Sequence, residues 1–238
     1  FIFQKIASYL FHRYTQNNLD IVVGNRQLFL PSILLVVGKE KPDPAKDPEK
    51  VPALFQLMVL YHLERENIDG LTMQEIAEKL KTSYATVNRC VRWMKEKGFI
   101  TLNGGKEKQI SFNFKGKNLW TVALPFMETP IEFVVYTPEL AISENSLISE
   151  QNALAEYSLL NGGPYRIAIS KEEYKKLKQK NIYWDPFGEA GIEVWKYDPT
   201  LLSDTGVVDK LSLYLLLKDY EDERVQIELE NMLNEIKW

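Results

Sequence analysis

The sequence predicts a multidomain protein of mixed class, α+β or α/β, and three observations support this. Residues 71–114 show two amphipathic helix patterns separated by a short turn and followed by a hairpin pattern. Residues 131–238 alternate strand patterns with helix patterns, which is typical of a layered α/β domain. Residues 38–50 contain three prolines and eight charged residues in thirteen positions, so this segment is predicted to be a linker.

These patterns divide the chain into three predicted domains. Residues 1–50 would hold an N-terminal helix over 1–14, a hairpin that turns at Gly24-Asn25, and the linker. Residues 51–124 would form a helical domain that ends in a hairpin. Residues 125–238 would form a small acidic α/β domain with a regulatory or partner-binding role.

Residues 52–67, with Pro52 at a plausible helix start and an apolar face, are predicted to form the first helix of the central domain. A pair of helices follows, and the start of the first helix of this pair is marked by local capping signals. Thr72 precedes the helix and Glu75 follows three residues later, which is the capping-box pattern. Ile76, Ala77 and Leu80 then form one apolar stripe at helical spacing. A short turn follows, and the next residue predicted to cap a helix is Ser83.

The second helix has a buried face and a polar face. Val87, Cys90, Val91 and Met94 recur at helical spacing and are predicted to face the core. Gly98 ends the helix, and a hairpin turn at residues 103–105 separates two strand patterns. The polar face and the hairpin supply the candidate contact residues, which are Ser83, Tyr84, Thr86, Asn88, Arg89, Arg92, Lys95, Lys106 and Lys108.

Helix, tight turn, helix and basic hairpin in this order predict a winged helix-turn-helix that reads DNA with the helix starting at Ser83. The run EIAEKLKTSYATVNRCVRWMKEKGFI resembles the winged helices of MarR-type and related bacterial repressors and covers about a fifth of the chain. The sequence departs from that pattern in the turn, where Lys81-Thr82 replaces the glycine often found there. The resemblance implies a transcriptional repressor whose partner is double-stranded DNA.

The distribution of charge supports the same segment. The whole chain has 29 basic and 33 acidic residues, for a net charge of −4. Residues 71–120 carry 10 basic and 4 acidic residues, whereas residues 121–238 carry 11 basic and 21 acidic residues. Basic residues bind phosphates with release of counterions. We therefore expect residues 71–120 to face DNA and the acidic half to point away from the duplex or to serve another partner.

Composition and motifs exclude several classes of site. One cysteine rules out an intramolecular disulfide framework, and two histidines are too few for a histidine-rich metal site. No apolar run reaches the length of about 18 residues that a membrane span requires. The sequence shows neither a glycine-rich phosphate loop nor a nucleophile–base pattern, so we expect no catalytic residues, no metal and no cofactor. The expected compartment is a reducing cytoplasm.

The second half resembles another family. The runs NALAEYSLLNGG, YRIAIS, VWKYDP and VDKLSLYLLLKDYEDERV resemble the C-terminal part of bacterial regulators of the AbiE antitoxin type. This resemblance implies a winged-helix antitoxin that represses its own operon and counteracts a nucleotidyltransferase toxin. The alternatives are a plain regulator whose C-terminal domain binds a protein partner or a small effector, and a protein–protein interaction module that does not bind DNA.

Specificity over a genome predicts a dimer, because one winged helix reads only a few base pairs. The apolar N-terminal helix, or the C-terminal helix that ends at Trp238, could supply the interface. Either helix could instead pack within its own chain.

Overall fold

The computed structural model describes residues 2–3, 19–24, 27–30, 35–38, 51–105, 107–138, 145–180, 185 and 188–238. The chain divides into two compact units, residues 1–50 and residues 51–238. The first boundary coincides with the end of the predicted linker.

The first unit contains a four-stranded sheet in the order β1-β2-β3-β4. Its strands are β1 (Ile2–Phe3), β2 (Ile21–Val23), β3 (Gln27–Leu30) and β4 (Leu35–Gly38). The predicted hairpin is confirmed, because β2 pairs antiparallel with β3. The predicted N-terminal helix is wrong for Ile2 and Phe3, which pair in parallel with β2. The rest of that helix, and the linker after Gly38, lie outside the described residues.

Three helices open the second unit. They are α1 (Ala53–Glu64), α2 (Met73–Lys79) and α3 (Tyr84–Glu96). Pro52 precedes α1 in extended conformation, which suits a residue without an N–H at the start of a helix. Helix α1 ends at Glu64, three residues before the end of the helix predicted over 52–67. Leu54 to Leu60 are all buried, so α1 is the central helix of this region.

The hairpin after α3 is formed by β5 (Ile100–Asn103) and β6 (Gln109–Phe112), paired antiparallel from Ile100↔Phe112 to Asn103↔Gln109. Phe114, the last residue of the segment 71–114 in which the hairpin was predicted, lies beyond β6 and is exposed. A helix follows that the sequence patterns did not predict, α4 (Gly116–Ala123), with a 3-10 turn at Leu124–Phe126.

The remaining sheet has the order β7-β10-β9-β8. Its strands are β7 (Ile131–Thr137), β8 (Leu147–Ile148), β9 (Arg166–Ile169) and β10 (Ala190–Trp195). Strand β10 pairs antiparallel with β7 and parallel with β9, so the sheet is mixed. The predicted α/β character of this half is confirmed, and β8 is an addition to the predicted strands. All six residues of β10 are buried, with Trp195 in one hydrophobic cluster and Ile192 and Val194 in another.

Four helices accompany this sheet. They are α5 (Glu150–Tyr157), α6 (Lys171–Gln179), α7 (Lys210–Leu217) and α8 (Glu223–Asn234). Ser170 accepts a hydrogen bond from Glu173 N at the start of α6. Asp222 accepts a hydrogen bond from Arg224 N and so caps the start of α8.

One hydrophobic core extends through the helices on both sides of residue 124. It includes Leu54 of α1, Val91 of α3, Trp195 of β10, Leu211 of α7 and Leu229 of α8. A smaller cluster lies between α6 and the other face of the sheet, with Ile167, Ile192 and Leu177. The predicted boundary at 124/125 thus runs through a continuous core, and the division of roles between the two halves stays a prediction.

In the described ranges, none of the helices combines the length and apolar character that a bilayer span requires. The same ranges contain no group of three or more His, Cys, Asp or Glu side chains placed to hold a metal ion.

Candidate nucleic-acid interface

The helix-turn-helix geometry is set by caps on both helices. Thr72 Oγ1 accepts from Glu75 N, and the Glu75 carboxylate accepts from Thr72 N at 2.7 Å, so the predicted capping box is confirmed. Ser83 caps α3 by accepting from Thr86 N at 3.2 Å. Lys81 takes the left-handed conformation, with φ 49°. The turn therefore keeps the backbone that favours glycine although the residue is lysine.

The buried face of α3 holds the helix against the core. Val87, Cys90, Val91 and Met94 are each at most 1% exposed, as predicted. Trp93, which the sequence patterns did not place, is also buried and lies 4.9 Å from Phe55 of α1 between ring centroids. Phe99 and Phe126 complete an aromatic cluster with these two rings. Three other segments of the chain thus fix the position of α3.

Cys90 has a packing role in this face. Its side chain is fully buried, and burial raises the pKa of the thiol far above its ordinary value. The neutral thiol lacks the thiolate character that reactive cysteines need. This agrees with the predicted structural role.

The other face of α3 carries the predicted contact residues. Ser83, Tyr84, Arg89, Arg92 and Lys95 are exposed, and Thr86 and Asn88 are half-buried. The structure therefore brings all seven residues to one helix and leaves their polar groups accessible. Tyr84 is the only large apolar side chain among them, at 47% exposure. A surface with this composition suits base edges and phosphates better than an apolar protein partner.

The basic side chains of this surface are not neutralised by the described carboxylates. Arg65, Arg166, Arg224 and Lys79 each pair with an acidic side chain elsewhere in the fold. Within the described part of the chain, no such ion pair involves Arg89, Arg92, Lys95 or Lys108. These four cations therefore keep their charge available for an anionic ligand.

The wing is anchored at its base. Asp69 Oδ1 accepts from Phe112 N at 2.7 Å, and Gly70 N donates to the Ile110 carbonyl oxygen at 2.8 Å. At the tip, Gly104 has φ 91°, and a Cβ there would meet the Glu107 carbonyl oxygen at 2.7 Å, so the turn requires glycine. Lys108 is exposed at this tip, whereas the predicted contact Lys106 lies outside the described residues.

A cleft of about 390 Å³ adjoins the helix-turn-helix. One wall is formed by α1 and by Lys81, Thr82 and Thr86, and the other by β10 and the start of α6, with Ser170 and Lys171. Lys171 was assigned by its position in the sequence to a half that points away from DNA. The fold instead places it beside the turn before α3.

The winged helix is joined to the C-terminal half by buried polar contacts as well. Gln56 Nε2 donates to Tyr197 Oη at 3.2 Å, and Tyr197 Oη lies 3.0 Å from Ser212 Oγ. Nearby, burial and then the adjacent Asp209 raise the pKa of Glu64 well above its ordinary value. Glu64 Oε1 also accepts a hydrogen bond from Leu211 N of α7 at 3.3 Å. These contacts hold α1 against α7.

Comparison with known proteins agrees with this geometry. A family model described as winged helix-turn-helix DNA-binding matches residues 57–101. The match covers α1 from its second turn, α2, α3 and the start of β5, so the chain carries a DNA-binding winged helix. Neither the curated proteins nor the solved structures include a significant match to the chain.

Proposed function

We propose that the protein is a transcription regulator, acting as a repressor, that inserts α3 into the major groove of its operator. The proposal rests on the exposed polar face of α3, which carries Asn88, Arg89 and Arg92. Neither arginine forms an ion pair with a described carboxylate. Arginine can bond to guanine O6 and N7 through two donors, and asparagine can bond to adenine N6 and N7. The proposal assigns no catalytic step to the chain.

The contacts divide into two classes by position. Asn88 and Arg89 are assigned to base edges, because they lie in the first half of α3 and carry the side chains that bond to adenine and guanine through two atoms. Ser83, Tyr84, Thr86, Arg92, Lys95 and the wing lysines Lys106 and Lys108 are assigned to the flanking backbone. Two copies of the chain would bind two half-sites about one helical turn apart, which gives the specificity that a single module lacks.

The test begins with selection of a duplex by the full chain from a randomised library, followed by anisotropy titrations. Arg89→Ala should weaken binding of the selected duplex by about 5- to 150-fold, which corresponds to about 1–3 kcal/mol, with little effect on random duplex. Lys108→Ala should weaken binding of both duplexes alike. The fall of log K with log salt should become less steep by about 0.9.

Arg224→Ala is the matched control, because Arg224 is exposed and pairs with Asp222 at the start of α8. Equal losses for Arg89→Ala and Arg224→Ala would contradict the assignment of α3. A wild-type chain that binds no duplex at low salt would overturn the proposed function itself. A selected sequence with two related half-sites would support the dimer, and a single site would contradict it.

A second candidate function is supported by the acidic balance of residues 121–238, with 21 acidic and 11 basic residues. An acidic surface favours encounter with a basic partner. A nucleotidyltransferase toxin is such a partner, since an enzyme that handles nucleic acid commonly presents a basic groove. Co-expression with a nucleotidyltransferase encoded beside this gene should restore growth if the chain is its antitoxin. If growth is not restored and the two proteins do not co-purify, the antitoxin function is wrong and the chain is a regulator without a toxin partner.

A further inference from the structure

The acidic half contains one strongly basic element, helix α6. Five of the eleven basic residues in 121–238 fall within the ten positions 171–180. Three of them, Lys171, Lys175 and Lys178, follow the spacing i, i+4, i+7 and share one side of the helix, and all three are exposed. We call these three residues the α6 basic face. A uniformly solvated acidic surface does not explain why lysines are concentrated on one helix.

The position of α6 in the fold gives a reason for this concentration of lysines. The first turns of α6 and of α3 border the same cleft, whose lining includes Lys171 together with Lys81 and Thr86. In helix-turn-helix docking, the DNA backbone runs past the turn and past the start of the recognition helix. The element that flanks this side of α3 is therefore the one that backbone phosphates beyond the recognition helix would meet.

We propose that the α6 basic face binds phosphates of the DNA backbone and extends the interface beyond the winged helix. This inference rests on the proposed function. The face spans about 10 Å along the helix axis, since each residue adds about 1.5 Å. Without it, the most acidic half of the chain would border the duplex and repel it at short range.

The existing partners of these lysines do not block such contacts. Lys171 pairs with Glu132, but both side chains are more than 40% exposed, and ion pairs between exposed side chains are weak. Lys178 Nζ lies 4.9 Å from the centroid of the Tyr174 ring, which orients the side chain and leaves its charge in place. Both heads can therefore turn to phosphate at small cost.

The experiment measures the salt dependence of binding to one selected duplex by the full chain. Lys175→Gln and Lys178→Gln should each lower the slope of log K against log salt by about 0.9, the value for one lost phosphate contact. Both variants should also shorten the hydroxyl-radical footprint at its outer edge. Lys175→Arg should restore the slope, because arginine keeps the charge.

Arg224→Gln is the matched control, because Arg224 is an exposed cation of the same acidic half that lies at the start of α8 and pairs with Asp222. If wild type binds and Arg89→Ala loses affinity, but the α6 variants match Arg224→Gln, the α6 inference is wrong while the proposed function stands. If the α6 variants leave DNA binding unchanged but weaken binding of an acidic protein, the α6 basic face belongs to that protein partner instead. If wild type binds no duplex, both proposals fall.

Discussion

Replacement of Phe55 by alanine is expected to lower the free energy of unfolding by about 3–5 kcal/mol. Phe55 is fully buried in α1, and its ring lies 4.8 Å from that of Phe99 and 6.4 Å from that of Phe126 between centroids. Its removal costs both the transfer free energy of the ring and the contacts around the cavity that remains. Urea denaturation monitored by circular dichroism measures this change.

Phe114→Ala is the control for that substitution. Phe114 follows the wing and is 36% exposed, so its loss should change the free energy of unfolding by much less. Similar losses for the two variants would show that the aromatic cluster does not stabilise the winged helix. Because the same cluster contacts Trp93 of α3, the Phe55→Ala chain should bind DNA only in proportion to its folded fraction.

The second large effect is a dependence of stability on pH that Glu193 imposes. Glu193 of β10 is fully buried, and its carboxyl accepts from Ser149 Oγ at 2.7 Å and from Trp195 Nε1 at 3.0 Å. Burial first, and then repulsion from Glu150, raise its pKa to about 8. At neutral pH this residue is therefore expected to be protonated in the folded chain.

The direction of the effect follows from linkage. An unfolded glutamate ionises near pH 4.5, so between about pH 4.5 and 8 the unfolded chain has lost a proton that the folded chain retains. The contribution of Glu193 is complete below pH 4.5 and falls by up to about 1.4 kcal/mol per pH unit until the folded group ionises near pH 8. Stability should thus decline as pH rises through this window.

Glu193→Gln tests this expectation, since the amide has the same shape and does not ionise. Denaturation of both chains from pH 5 to pH 8 should give a difference that moves in favour of the variant as pH rises. Glu64, whose pKa is also raised, is present in both chains. Its contribution to the pH dependence of stability therefore cancels when the two free energies of unfolding are subtracted. Glu172→Gln, at an exposed position of α6, controls for loss of a carboxyl. A difference that does not change with pH would contradict the buried acid.

The elements predicted correctly from the sequence are those specified by adjacent residues. Thr72 with Glu75 marks the start of α2, and Gly98, with φ 78°, ends the region of α3. Helix α4 was missed because its N-cap, Lys115, makes no side-chain cap and its first residue is Gly116, with φ 49°. No local capping signal precedes that helix.

The candidate site was predicted as far as one helix face can specify it. Asn88, Arg89 and Arg92 follow from the helical period alone. The burial of Trp93 depends on Phe55, Phe99 and Phe126, which come from three other segments, so the period of α3 could not reveal it. The position of α6 beside the turn depends on the tertiary packing of the whole second unit. The net charge of residues 121–238 is acidic, so it gave no sign that lysines are concentrated on this helix.

The core that continues from α1 and α3 into α7 and α8 couples the unfolding of these helices. A helix cannot leave this core without exposing apolar side chains on the others, so residues 51–238 should unfold in one cooperative transition. A ligand that binds only the folded state stabilises the whole cooperative unit by mass action. DNA held by α3 should therefore slow the global hydrogen exchange of amides in α7 and α8, although neither helix needs to touch it.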